Sequence, residues 1–177
     1  AGIGTLRRIK KIVPREHLTS VYKSIIEPYF DYCCLVWDAI GTSLAERLQK
    51  LQNRAARVIT SATYLKRSKE IRKELGWLNL QERRNKFKAI MMYKTINGMA
   101  PKYMEDMFSQ HAGNLAYNLR ASCKNVALPQ AKTDYYRNSF AFTGAKLWNS
   151  LPNDIKGESS IEAFIKKLSQ VDLSITM

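Results

Sequence analysis

Apolar residues recur every three or four positions between Ser43 and Ala62. A helix brings such positions onto one face, so the pattern predicts an amphipathic helix that packs on a core. The predicted core face consists of Leu44, Leu48, Leu51, Ala55, Val58, Ile59 and Ala62. Ser43 is the predicted N-cap, and Glu46 stands three residues later, where it would complete a capping box. The rest of the chain is expected to pack around this helix.

A second set of positions on the same helix is basic. Its members have the same three- and four-residue spacing, which places them in a stripe beside the apolar face: Arg47, Lys50, Arg54 and Arg57. A row of cations at the rim of a packed surface suits the phosphate backbone of a nucleic acid. A solvated helix face without a ligand has the same pattern, so both interpretations stay open.

Helical periodicity continues elsewhere along the chain. The other predicted helices cover residues 5–12, 15–38, 66–75, 80–96, 102–108, 140–149 and 161–171. Pro28 lies inside the second of these, and because proline lacks an N–H, a kink or break is expected near residues 24–28. Residues 125–130 and 134–139 could pair as a small β-hairpin. The predicted fold class is mainly α, in two parts that meet near Gly76.

A second group of basic residues lies on the predicted helix at residues 80–96. Apolar side chains such as Phe87 and Ile90 line one face of this helix, and its other face is crowded by basic ones. These are Arg83, Arg84, Lys86 and Lys88. They form a second candidate surface for phosphates, and a solvated helix face explains them equally well.

The charge of the whole chain favours a nucleic-acid partner. Its 177 residues include 29 Lys and Arg against 15 Asp and Glu, a formal net charge of +14. Such an excess favours a polyanion, with nucleic acid ahead of an anionic membrane surface. The alternative is a helical interaction module whose basic face meets an acidic protein partner. The apolar residues are expected to be used in internal packing, and no apolar run approaches the ~20 residues of a spanning helix, so no membrane partner is expected.

Residues typical of catalysis or cofactor binding are scattered. The aspartates form neither a pair nor a cluster suited to two magnesium ions. His17 and His111 have no Cys or His partner at ligand spacing, and Gly2-Ile-Gly4 is too short for a phosphate-binding glycine loop. The chain is therefore expected to contain no catalytic residues, no metal site and no cofactor.

The cysteines indicate a reducing compartment. Cys33, Cys34 and Cys123 are an odd number without a recognisable secretion signal, and adjacent cysteines do not have the spacing of zinc ligands. We expect them to be reduced, small buried residues, in an intracellular protein of the nucleus or cytoplasm.

Several stretches of the sequence recur in a fixed order in a known family. They are residues 18–37, 48–57, 75–84, 93–103, 117–120 and 139–152, followed by Phe164. Among them are Leu-Gln-Lys-Leu-Gln-Asn-Arg-Ala-Ala-Arg at 48–57 and Ser-Phe-Ala-Phe-Thr-Gly-Ala-Lys-Leu-Trp-Asn-Ser-Leu-Pro at 139–152. In this order the chain resembles the C-terminal region, after the palm, of the reverse transcriptases of non-LTR (LINE-type) retrotransposons.

The resemblance implies a thumb-like helical unit at residues 1–76 and a post-thumb, linker-like region at 77–177. It implies that the chain grips the backbone of a primer–template, either an RNA–DNA hybrid or a duplex, with the basic helix in the thumb. The palm aspartates and the fingers are missing, so the chain is expected to be no enzyme on its own. It would be a truncated or separately encoded piece of a polymerase, and the fingers and palm would be its protein partners.

Overall fold

The computed structural model of the chain describes residues 2–112, 125–171 and 173. Regular secondary structure in these ranges is helical, which confirms the predicted mainly α fold class. The chain divides into two compact units, residues 1–83 (unit 1) and residues 84–177 (unit 2). This division falls within a long helix instead of near Gly76. The assignment of the two parts to a thumb-like and a linker-like region stays a prediction.

The helices have the following bounds. Those that begin in unit 1 are α1 (Gly2–Ile9), α2 (Arg15–Val21), a π-helical turn (Tyr22–Ile26), α3 (Glu27–Asp31), α4 (Cys34–Trp37), α5 (Thr42–Thr60), α6 (Ser68–Glu74) and α7 (Leu80–Ile96). Unit 2 continues with α8 (Lys102–Ala112), α9 (Asp134–Arg137), α10 (Phe140–Ser150), α11 (Asn153–Lys156) and α12 (Ile161–Leu168).

The core of unit 1 is built on the inner face of α5, which packs against α1, α2 and α6. Its buried apolar residues are Leu6, Leu18, Tyr22, Ile26, Phe30, Ala55, Ile59 and Leu80. The ring of Tyr22 stacks on that of Trp77 with the centroids 4.0 Å apart. α5 therefore lies at the centre of this unit, and its orientation determines which of its side chains are exposed to solvent.

The face that α5 turns inward differs from the predicted one. Its buried residues are Gln52, Ala55, Ala56 and Ile59. Leu44 and Leu51 remain 48% and 43% exposed, so their prediction as core residues is wrong. Gln52 is buried, and its side-chain amide donates a hydrogen bond to the Leu78 carbonyl at 3.1 Å, which favours this face of α5 inward.

The start of α5 also differs from the prediction. The helix begins at Thr42 with Gly41 as its N-cap, and no side chain bonds to the cap. The N–H groups of Leu44 and Ala45 already donate to the Gly41 carbonyl, at 3.0 and 3.1 Å. Ser43 therefore lies inside the first turn, and the predicted capping box is wrong.

Pro28 alters the winding of the second predicted helix without breaking it. The chain stays helical over residues 15–31, with a π turn at Tyr22–Ile26. In that turn the Glu27 N–H donates to the Tyr22 carbonyl, five residues back. Because Pro28 has no N–H with which to continue the α-helical ladder, the wider turn before it accommodates the missing donor.

The same predicted helix is interrupted at Cys33. This residue has a left-handed conformation, with φ of 49°, and precedes α4. Cys33 is exposed and Cys34 is buried, so the prediction of buried cysteines is right for Cys34 and wrong for Cys33. Cys123 lies outside the described residues.

The core of unit 2 is organised by stacked aromatic rings. The ring of Phe164 lies 4.4 Å from that of Tyr93 and 6.0 Å from that of Trp148, measured between centroids. Helices α7 and α10 approach closely at Gly144, where a Cβ would lie 2.9 Å from the Met92 sulfur. A larger residue at Gly144 would therefore require the Met92 side chain to move.

The predicted β-hairpin is absent from the described part of unit 2. Residues 125–132 have no regular structure, and residues 134–137 form the short helix α9. The side-chain amide of Asn149 bonds to both backbone groups of Val126, at 2.9 and 2.8 Å, so those groups are not available to a partner strand. The Thr133 hydroxyl accepts a hydrogen bond from the Tyr136 N–H, which favours a helical turn.

The orientation of α5 predicts unequal effects of two truncations. Ile59→Ala should lower the free energy of unfolding by about 2–5 kcal/mol, because Ile59 is buried. Leu51→Ala should lower it by about 1 kcal/mol or less, since much of that side chain is already in water. Urea unfolding followed by circular dichroism measures both. Equal losses would show that the inward face of α5 is not the one described.

Candidate nucleic-acid interface

Three cations stand on the outer face of α5: Arg47, Lys50 and Arg54. All three side chains are exposed, and the spacing of three and four residues keeps them in one stripe about 10 Å long. Among the described residues, none forms an ion pair or hydrogen bond with these three side chains. Glu46 is the one carboxylate in the sequence from Thr42 to Thr60, so the local charge is positive.

Arg57, the fourth predicted member of the stripe, has a structural role. Its guanidinium Nη1 donates to the Thr63 carbonyl at 2.9 Å, and Nη2 donates to the Ser68 hydroxyl at 3.1 Å. The guanidinium carbon also lies 5.9 Å from the centre of the Tyr64 ring. α5 ends just before Ser61, which has a left-handed φ of 51°. Arg57 therefore holds the turn between α5 and α6.

Arg83, from the second basic group, is held by carboxylates of unit 1. Its Nε and Nη2 each donate to one oxygen of Asp31, both at 2.6 Å, and Nη1 lies 3.2 Å from Glu27. The hydrogen bonds to Asp31 hold the pKa of Arg83 above its ordinary value. Burial raises the pKa of Glu27, and the charge of Arg83 opposes part of that rise. Arg83 thus fastens the start of α7 to α3.

The other basic residues of α7 do not form the predicted surface. Arg84 and Lys88 are only 3% and 1% exposed, and Lys86 is half-buried. Both buried side chains are engaged in interactions within the protein. The expectation that four cations share one exposed face of α7 is therefore wrong. Arg84 and Lys88 lie four residues apart, and α7 is buried on the side that carries them.

Amides on α5 form a network that the sequence pattern did not reveal. The Gln49 side-chain oxygen accepts a hydrogen bond from the Leu80 N–H at 2.9 Å. Asn53 accepts one from Arg72 at 2.5 Å, and Gln52 donates to Leu78 as described above. The available signal for this network in the sequence was the spacing of the amides along a helix whose other residues are mainly apolar or basic. Together these bonds fix α5 against α6, against the segment before α7 and against the first residue of α7.

The described part of the chain offers no evident metal site. Within it, no three His, Cys, Asp or Glu side chains come together in a way that could hold an ion. No described helix combines the length and the apolar character needed to cross a membrane. Residues 117–120, which carry part of the family resemblance, and the side chain of His111 lie outside the described residues.

The chain is similar to a transposon protein. Over 103 residues it is 27% identical to the Drosophila melanogaster protein described as "Probable RNA-directed DNA polymerase from transposon X-element". The aligned region is 58% of this chain and 10% of that protein, so the chain spans about a tenth of the length of the curated relative it matches. No family model matches the chain, and no solved structure matches it.

The contrast between Arg57 and Arg54 gives a direct test of their different roles. Arg57→Gln should lower the free energy of unfolding by about 1–3 kcal/mol, because hydrogen bonds from a charged donor to the following turn are lost. Arg54→Gln, on the same helix and with the same change of charge, should stay within about 0.5 kcal/mol of the parent. Urea unfolding compares them. Equal stabilities would mean that Arg57 does not hold the turn.

Proposed function

We propose that the chain is a non-catalytic, nucleic-acid-binding part of a retrotransposon reverse transcriptase, which grips the phosphate backbone of the primer–template. The observation that supports this most is the stripe of Arg47, Lys50 and Arg54 on the outer face of α5. Its members are exposed and free of protein partners among the described residues, while the neighbouring cation, Arg57, is not.

Phosphate is the ligand that this stripe suits best. Each cation that neutralises a phosphate releases condensed counterions, so several aligned cations bind a polyanion far more strongly than one. α5 is fixed in the unit through the bonds of Gln49, Gln52 and Asn53, so little backbone ordering is needed on binding. A net charge of +14 adds long-range attraction.

The similarity to a transposon RNA-directed DNA polymerase supports the polymerase context. In this proposal unit 1 acts as the thumb-like part, and an RNA–DNA hybrid or duplex lies along α5. The fingers and palm of the polymerase, which would carry the catalytic carboxylates, are the proposed protein partners. Arg83, Arg84 and Lys88 are left out of the proposed interface because they are paired or buried.

The proposal is tested with a triple variant, Arg47→Gln, Lys50→Gln and Arg54→Gln. Arg57 stays unchanged so that the turn it holds is intact, and Gln preserves helix propensity. Binding of a fluorescein-labelled RNA–DNA hybrid is followed by anisotropy across a range of salt concentrations. Loss of three phosphate contacts should flatten the slope of log affinity against log salt by up to ~2.7 units.

The matched control removes three exposed lysines from unit 2: Lys132→Gln, Lys146→Gln and Lys166→Gln. The control lowers the net charge by as much as the α5 triple variant does. It therefore measures the contribution of long-range attraction between the chain and the nucleic acid, which is screened beyond ~8–10 Å at physiological salt. The α5 variant should lose clearly more affinity than the control, for every nucleic-acid sequence alike. If both triple variants bind equally well at that salt, α5 is not the interface. Circular dichroism checks that both variants keep the parent fold.

The proposed absence of catalysis has its own test. The purified chain should not extend a primer on an RNA or DNA template with either magnesium or manganese, because the sequence has no carboxylate pair that would hold two metal ions. Extension is measured on denaturing gels, with a mock purification as the control for contaminating polymerase. Templated extension by the chain itself would overturn this part of the proposal.

A further inference from the structure

An open groove of about 1020 Å³ lies within unit 1, between α1, the helical stretch that contains the π turn, and α5. Its floor is mainly aliphatic and includes Ile3, Ile25, Leu48, Leu51 and Val58. Ile25 and Leu51 are large apolar side chains that stay exposed there. Apolar side chains that are exposed together mark interaction sites, whereas single ones scattered over a surface do not.

The rim of the groove is basic. Arg7 of α1 and Lys10, the residue just after α1, line it from one side, and Arg54 of α5 lines it from the other. No carboxylate is among the described residues that line it. A ligand in this groove would therefore meet an apolar floor and positive charge on both sides, which favours negative charge along the edges of the ligand.

The floor suits aliphatic side chains better than nucleic-acid bases. Bases bind mainly by stacking on aromatic rings, and Tyr29 is the one exposed aromatic ring among the described lining residues. A groove between helices, with aliphatic positions along it, resembles the sites that take the apolar face of an amphipathic helix. Gly4 leaves the α1 wall open, since no atom lies within 4 Å of where its Cβ would be.

We propose that this groove binds an acidic amphipathic helix of a protein partner. Aliphatic side chains of that helix would pack on Ile25, Leu51 and Val58, and carboxylates along its flanks would pair with Arg7, Lys10 and Arg54. The proposed helix occupies a surface different from that of the nucleic acid, and only Arg54 belongs to both. The groove would take such a helix even if α5 bound no nucleic acid.

The probe is a fluorescein-labelled synthetic helix of about four turns, with Leu at positions i, i+4 and i+7 and Glu along both flanks. There are two matched control peptides. In one, every Glu is replaced by Lys, and in the other, every Leu is replaced by Gln. The acidic amphipathic peptide should bind the full chain at least about tenfold more tightly than either matched peptide, since each lacks one half of the complementarity.

The decisive variants are Leu51→Glu and Leu44→Glu. Both leucines are exposed to a similar extent on α5, but Leu44 does not line the groove. A carboxylate at residue 51 should weaken binding of the acidic peptide at least about tenfold, through lost apolar contact and like-charge repulsion. The same change at residue 44 should leave binding within about twofold of the parent, because it lies roughly two turns away. Ile25→Glu is a second groove variant, expected to behave like Leu51→Glu.

The outcomes separate this proposal from the proposed function. Residue 51 is a helical neighbour of Arg47 and Arg54, so hybrid binding is compared with Ile25→Glu, a groove variant outside α5. Ile25→Glu and Leu44→Glu change the net charge equally, and Ile25→Glu should weaken binding of the RNA–DNA hybrid no more than Leu44→Glu does. The proposal is overturned if the acidic peptide does not bind the parent, or if Leu51→Glu and Leu44→Glu bind it equally well. It is also overturned if Ile25→Glu loses the hybrid while Leu44→Glu keeps it, because the groove would then be a nucleic-acid site. Failure of the α5 triple variant to affect hybrid binding would count against the proposed function alone.

Discussion

The orientation of α5 depends on three side-chain amides. Gln49 accepts a hydrogen bond from the N–H of Leu80, the first residue of α7, and Gln52 donates one to the carbonyl of Leu78 just before it. Asn53 accepts a hydrogen bond from Arg72. A rotation of α5 that buried Leu51 in place of Gln52 would break several of these hydrogen bonds at once. It would be unfavourable, because each buried polar group left without a partner costs about 1–3 kcal/mol. In the observed orientation the amides face the unit, and Leu44 and Leu51 are partly exposed to solvent. The exposed cation stripe and the apolar groove both result from this orientation of α5.

Periodicity was enough to find α5 and most of the other helices, because helical spacing is a local property of the sequence. It was not enough to orient α5, since the partner of Gln52 is the Leu78 carbonyl, many residues further along the chain. The same limit explains α7. Arg84 and Lys88 have the spacing of an exposed basic stripe, and only the packing around the helix shows that they are buried. A count of charged residues cannot distinguish a buried cation from a solvated one.

The segment at residues 48–57 contributes both to the fold and to the proposed function. Gln49, Gln52 and Asn53 hold the helix in place, and Arg57 holds the turn that follows it. Only Lys50 and Arg54 in this segment are exposed cations without a protein partner among the described residues. Arg54 belongs to the stripe and also lines the groove. If both proposed sites are used, occupancy of one would alter the affinity of the other, and thermodynamic linkage requires the effect to be reciprocal.

The π turn at Tyr22–Ile26 gives this stretch a tolerance for chain length. A π turn carries one residue more than an α-helical turn, so deleting a single residue there would remove the extra residue and leave the following side chains close to their present directions. Phe30 would then stay in the core, and Asp31 would still face Arg83. The same deletion in a regular part of the helix would rotate every following side chain by about 100°. Relatives that keep this architecture should therefore lose or gain one residue within residues 22–26 more readily than elsewhere in residues 15–31.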